Sequence, residues 1–270
     1  MEIKRKAMKE IMLKYAIIFA LIIGMPSCHK DDTKNNNTNN NDEHPYMAAI
    51  IYNAVTDIDG NSYNAVQIGN QVWMAEDLRT RRYADGRVIN RGSTQSMTDP
   101  YTKYWSVTLN DSIFDVHAYN WPAVMDGASS SNRIPSGVQG ICPDGWHVPS
   151  RAEWESLRNY VRRQSQCVCN YNGYNDNSNN IGKALSATLG WKSSNVSCAV
   201  GNNSSSNNLT GFSALPFYIP GKKTRFWTAT EESAYWDYWA HYYSLEYDRT
   251  ALLWCYEARS DFYFVRCVRD

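Results

Sequence analysis

The chain is short of the features that mark several common functions. Its N-terminal apolar run, Tyr15–Ile23, has nine residues, well under the roughly 20 that a membrane-spanning helix needs. It has no excess of positive charge, with 27 Lys and Arg against 27 Asp and Glu, and so lacks the basic footprint of a nucleic-acid binder. The single dense basic run, "LRTRRY" at Leu78–Tyr83, reads as a solvated loop. No Cys-x-x-Cys is present, the five His are scattered and "CVC" at Cys167–Cys169 has the wrong spacing, which excludes an ordinary zinc site. "DIDGN", from Asp57, puts glycine fourth and Ile68 twelfth. An EF-hand loop needs glycine sixth and glutamate twelfth. There is no Gly-x-Ser-x-Gly elbow and no phosphate loop. Glu231 and Glu232 are adjacent and would point to opposite faces of a strand, so they do not form a glycosidase pair. No metal, no cofactor and no catalytic residue is expected.

What is present begins with an address. Lys4, Arg5, Lys6, Lys9 and Lys14 precede the short apolar run, the layout of a secretory signal. It ends in "MPSC", which resembles the lipobox of bacterial lipoproteins, with Cys28 as the lipidated residue. "HKDD" after it resembles the surface-export signal of Bacteroidetes lipoproteins. Residues 1–27 are thus expected to be a signal peptide. Residues 28–45, rich in Asn, are expected to be a solvated tether unable to bury apolar area. Removing residues 1–27 takes five basic and two acidic side chains, leaving 22 against 25 and a net charge of about −3. The expected location is the outer membrane, facing outward, with the lipid as the only membrane contact.

Residues 46–270 are expected to form one domain around one core. Asp59-Gly60 and Gly69-Asn70 are hairpin turns between alternating apolar and polar residues. "PSRAEWESLRNYVRR", Pro149–Arg163, is the clearest helix: Ser150 caps it, Glu153 completes a capping box, and Trp154, Leu157 and Val161 recur on one face. "IGKALSATLGW", Ile181–Trp191, reads as a second helix ended by Gly190. Strands return in "LPFYIPG", "RFWTAT", "WAHYYSLEY", "TALLWCYE" and "FYFVRCVRD", which makes the class α+β. Six cysteines besides Cys28 read as disulfides in an exported chain. Cys167 and Cys169 cannot easily bridge each other across one residue. One of them is expected to pair with Cys198, because both flank the same polar insertion, with Cys167 named as the partner. Cys169 and Cys255 have no assigned partner.

"GNQVWMAEDLR", "YNWPAVMDGASSSNRIPSGVQGICPDGWHVPSRAEWESL", "GFSALP", "FWTATEES" and the terminal "VRCVRD" occur in this order. Together they resemble the Fibrobacter succinogenes major paralogous domain, over roughly Val55 to Asp270. The resemblance implies a C-type-lectin-like fold, with two helices flanking short antiparallel strands, long loops, and N- and C-terminal strands side by side. It also implies a Cys142–Cys267 disulfide. The chain departs from calcium-dependent sugar-binding lectins: it has neither a Glu-Pro-Asn or Gln-Pro-Asp triplet nor a Trp-Asn-Asp triplet, and "WTAT" (Trp227–Thr230) stands near the place of the latter. No calcium site is expected. A related fold family makes formylglycine with a reactive cysteine pair. Cys255 and Cys267 invite that comparison, but no surrounding motif of those enzymes is present.

"YWDYWAHYYSLEY", Tyr235–Tyr247, holds seven Tyr or Trp in thirteen positions. That density exceeds what a core is expected to pack on both faces of a strand, so some rings should reach the surface. With Leu245 inward, alternation puts Trp239, His241, Tyr243 and Tyr247 inside and Ala240, Tyr242, Ser244 and Glu246 outside. In the next strand, inward Leu253 and inward Leu252 give opposite partitions, and alternation does not choose between them. Tyr235, Trp236 and Tyr238 fall on a loop and are expected to be exposed. The candidate ligand-binding residues are these three with Tyr242, Trp254, Tyr256 and Asp261, because rigid rings give contact area at small entropic cost. The expected function is a monomeric, non-catalytic binding lipoprotein for a glycan or protein outside the cell. An adhesin-like assembly component stands second, and an enzyme of the formylglycine-generating type third.

Overall fold

A computed structural model describes residues 49–92, 99–107, 116–169, 180–232 and 238–270. The signal segment, Cys28, the tether, Tyr235 and Trp236 lie outside the described residues.

Strands β1 (Ile50–Thr56), β2 (Ser62–Ile68) and β3 (Gln71–Met74) form two consecutive hairpins. The buried Asp57 carboxylate shapes the first turn, accepting from the Asp59 and Asn61 backbone N–H groups and from the Tyr63 hydroxyl at 2.6 Å. The second turn needs glycine twice over. Gly69 has φ +64°, and a Cβ there would lie 2.9 Å from the Tyr160 ring. β4 (Asn90–Arg91), β5 (Tyr104–Val107) and β6 (His117–Tyr119) make a small sheet, and helix α1 (Trp121–Met125) follows directly. After β7 (Trp146–His147) comes α2 (Arg151–Arg163) with the full Ser150–Glu153 capping box, and Trp154, Leu157 and Val161 lie on its buried face. The chain closes with β8 (Lys223–Glu232), β9 (Trp239–Glu246), β10 (Leu253–Ala258) and β11 (Val268–Arg269). β11 inserts between β3 and β7, giving a five-stranded sheet in the order β1-β2-β3-β11-β7. The fold is α+β and mostly strand. Among the described residues no helix is long and apolar enough to cross a membrane.

The expected second helix is cut to one turn, α3 (Gly182–Leu185). The carbonyls that would propagate it are already taken. Lys183, Ala184 and Leu185 accept from the N–H groups of Asn208, Thr210 and Ala214, and Ala187 donates to Ala214. "LPFYIPG" is a turn rather than a strand, and "FYFVRCVRD" makes single bridges at Tyr263 and Phe264 before the β11 ladder.

β8, β9 and β10 form an antiparallel sheet with β9 in the middle. Trp227 on β8 faces Tyr242 on β9, and Phe226 faces Tyr243, so the two pairs occupy opposite faces. Both faces are interior. One carries Trp227, Ala240, Tyr242 and Tyr263; the other carries Phe226, Tyr243, Leu245 and Trp154 of α2. Trp154 stacks on Tyr243 with centroids 5.0 Å apart, and Trp227 lies 4.3 Å from Tyr263. Of the rings in this stretch, Tyr238 does reach the surface, 47% exposed, as expected, but Tyr242 and Tyr243 on β9 are enclosed. Tyr242, expected outside, is only 6% exposed, because a central strand covered on both faces has no outside.

Cys142 and Cys267 are joined, with Cα atoms 6.0 Å apart. A loop of 125 residues contributes roughly 4–5 kcal/mol on the chain-entropy account. The second disulfide joins Cys169, not Cys167, to Cys198. Cys167 ends the short turn after α2 and sits in the apolar cluster that includes Val161 and Ile181. Burial pushes its thiol up to about 11, so it is an inert core side chain. The buried Arg266 pairs with Asp77 and donates to the Met74 carbonyl at 3.2 Å, fastening the terminal segment to the chain after β3.

Candidate functional site

The β9–β10 register sorts the candidate residues. Cys255 faces Tyr242, while Tyr256 faces His241 and Trp254 faces Tyr243. Tyr242 and Cys255 therefore share one face of the sheet, and Trp254 and Tyr256 the other. The structure does not gather the expected residues into one site.

On the first face Arg225 is enclosed by rings. Its guanidinium carbon lies 4.5, 4.7 and 5.1 Å from the centroids of Tyr218, Tyr242 and Tyr263, and it donates to the Tyr218 and Tyr263 hydroxyls. Tyr263 in turn donates to Asp261 at 3.0 Å. Burial, aided by the Glu257 charge, raises the Asp261 carboxyl above its ordinary value against the lowering by the Tyr263 bond and Arg225. This cage already holds its cation, from the chain itself. On the second face Trp254 is 45% exposed, with the Arg151 guanidinium 4.8 Å over its ring, and half-buried Tyr256 lies edge-on to Trp239. Cys255 is free and exposed, whereas Cys267 is in a disulfide, so the two do not form a reactive dithiol.

Tyr238 points elsewhere. It is 47% exposed and meets Tyr101, 68% exposed, edge to face at 5.6 Å. Tyr101 belongs to the wall of an open cleft of about 530 Å³, lined also by Tyr83, Arg87, Val88, Asn90, Thr102 and Lys103. Sequence reasoning missed this cleft, whose lining residues Arg87, Thr102 and Lys103 are bonded to the two caps of the five-residue α1, Asn120 and Asp126. Asn120 caps α1 and, with the same side chain, accepts from the Tyr104 N–H and donates to the Thr102 carbonyl. At the other end the chain turns left-handed at Asp126, φ 51°. The Asp126 carboxylate collects both Nη atoms of Arg87 and the Lys103 ammonium. Tyr83 donates to the Ala123 carbonyl and lies under both cations, 4.8 Å from the Arg87 guanidinium and 5.5 Å from Lys103 Nζ. Arg87 Nε goes to Asp85 at 2.6 Å.

This arrangement holds; it does not poise a base. Burial acts to raise the Asp126 carboxyl, but hydrogen bonds and charge from Arg87 and Lys103 outweigh it and keep the group below its ordinary value. Hydrogen bonds from Arg87 lower Asp85 likewise. Carboxylates held ionised this way accept protons poorly. Among the described residues no cluster of three or more His, Cys, Asp or Glu is disposed to hold a metal ion.

The sequence profile of one protein family, described as the Fibrobacter succinogenes major domain, matches residues 66–269. No curated protein and no solved structure matches the chain.

Proposed function

The chain belongs to the Fibrobacter succinogenes major domain family, and from that premise we propose that it is a surface-anchored, non-catalytic binding lipoprotein of C-type-lectin-like fold. In this reading Cys28 carries the lipid, residues 28–45 hold residues 46–270 away from the outer membrane, and the folded domain takes a glycan or protein ligand. The observation that carries it is the exposed Tyr101–Tyr238 pair, of which Tyr101 lines the cleft. Exposed rings beside polar groups already fixed by one another are the composition of a contact surface. The insertion of the C-terminal strand β11 beside β3, the last strand of the N-terminal hairpins, supports the lectin-like fold.

A second reading rests on β10. It is the edge of its sheet, with Trp254 and Cys255 exposed, and such an edge suits strand addition by a partner subunit in an assembly.

The test uses whole cells and the detergent-solubilised full chain. Cys28→Ala should move the protein out of the membrane fraction, and the wild type should be open to protease on intact cells. An array of glycans and surface proteins, run with and without EDTA, should show EDTA-insensitive binding. Retention of the Cys28→Ala protein in the membrane contradicts the lipid anchor, and turnover of a bound ligand contradicts the non-catalytic reading.

A further inference from the structure

Resting on the binding reading above, we infer that the cleft beside Asp126 is a subsite for a neutral saccharide, held by hydroxyl hydrogen bonds and ring stacking without a metal ion. Charge selects the class. Arg87 and Lys103 face Asp85 and Asp126, two cations against two carboxylates. A sulfated or uronic sugar would compete with Asp85 and Asp126 for the same cations and be repelled by both carboxylates. A hydroxyl meets no such penalty, because it donates and accepts at once.

The donors are fixed before a ligand arrives. Arg87 spends Nε on Asp85 and one N–H of each Nη on Asp126, leaving two of its five N–H directions. Lys103 spends one of three on Asp126. The guanidinium is oriented by two carboxylates and by the Tyr83 ring beneath it. Asn90 and Thr102, which line the cleft, supply acceptors. Vicinal hydroxyls placed against such a row of donors and acceptors order little that is not already ordered.

Apolar surface completes the site. Tyr101 and Val88, 71% exposed, line the cleft, and Tyr238 braces Tyr101 edge-on. An exposed aliphatic and a braced ring beside Arg87, Lys103, Asn90 and Thr102 in one cleft match a pyranose, which has an apolar C–H face and a polar rim.

The experiment is affinity electrophoresis and calorimetry on the detergent-solubilised full chain. The neutral probes are a mannan, a xyloglucan, an α-glucan and a β-1,3-glucan; the acidic ones are polygalacturonate and a sulfated glycosaminoglycan. We expect binding to at least one neutral polymer, insensitive to EDTA and to added salt. Tyr101→Ala should weaken it at least tenfold, with the melting curve unchanged. Trp254→Ala, on a different surface, should leave it alone. Binding confined to acidic polymers and falling with salt would overturn the inference, as would full affinity in Tyr101→Ala or no binding to any neutral polymer. If Trp254→Ala abolishes glycan binding and Tyr101→Ala does not, the cleft assignment falls while the broader binding reading stands. Capture of a protein ligand with no glycan bound has the same consequence.

Discussion

Strands β9 and β10 run side by side, both rich in rings, and solvent treats them oppositely. Along β9, Ala240 to Leu245 are buried, whereas on β10 Trp254 and Cys255 are exposed. The difference lies in what surrounds each strand. β9 has a neighbour on both edges, Trp154 of α2 over one face and Tyr263 over the other. β10 is an edge. Composition sets how much ring area must be placed; position in the sheet decides where it goes. Among the described residues, the exposed pair Tyr101–Tyr238 belongs to neither β9 nor β10.

The widest gap should appear between two tryptophans of this one sheet. Trp227→Ala removes a fully buried ring packed on Tyr242 and Tyr263 and is expected to cost about 3–5 kcal/mol in urea unfolding. Trp254→Ala removes an exposed ring that meets Arg151 and His241, and about 1 kcal/mol or less is expected. Equal costs would break the contrast between centre and edge.

A smaller effect comes from the buried His147, held between Glu153 at 2.7 Å and Asp270 at 2.6 Å. Burial lowers its pKa, but the bonds and charges of Glu153 and then Asp270 win, so the folded value lies above 6.5. The resulting stability is fully present below pH 6.5 and is lost as pH rises through the raised folded value. Urea midpoints should fall across that window in the wild type, and His147→Gln should flatten the slope. A wild-type midpoint that rises across the window contradicts the assignment.

Local signals were legible where the chain solves its own problem. Ser150 and Glu153 satisfy the start of α2 within four residues, and Gly60 and Gly69 mark turns that backbone geometry demands. Signals failed where a distant segment intervened. Nothing local in "IGKALSATLGW" announces that residues 208–214 will take the α3 carbonyls. Alternation cannot tell a strand with one wet face from one with none, which is why Tyr242 was misplaced. Choosing between Cys167 and Cys169 required knowing which of them the core had already claimed. The cleft had a readable trace: Asn120-Trp121-Pro122 followed by Asp126-Gly127 carries helix start and stop signals. Their meaning depends on Thr102, Lys103 and Arg87 arriving from other elements.

At the small end of the scale, Tyr101→Ala and Tyr238→Ala should change unfolding free energy by less than about 0.5 kcal/mol, as exposed positions do. Ligand titration of Tyr101→Ala beside wild type tests the account most directly. It predicts at least a tenfold loss of neutral-glycan affinity in a protein that melts like the parent. Undiminished affinity in that variant contradicts it.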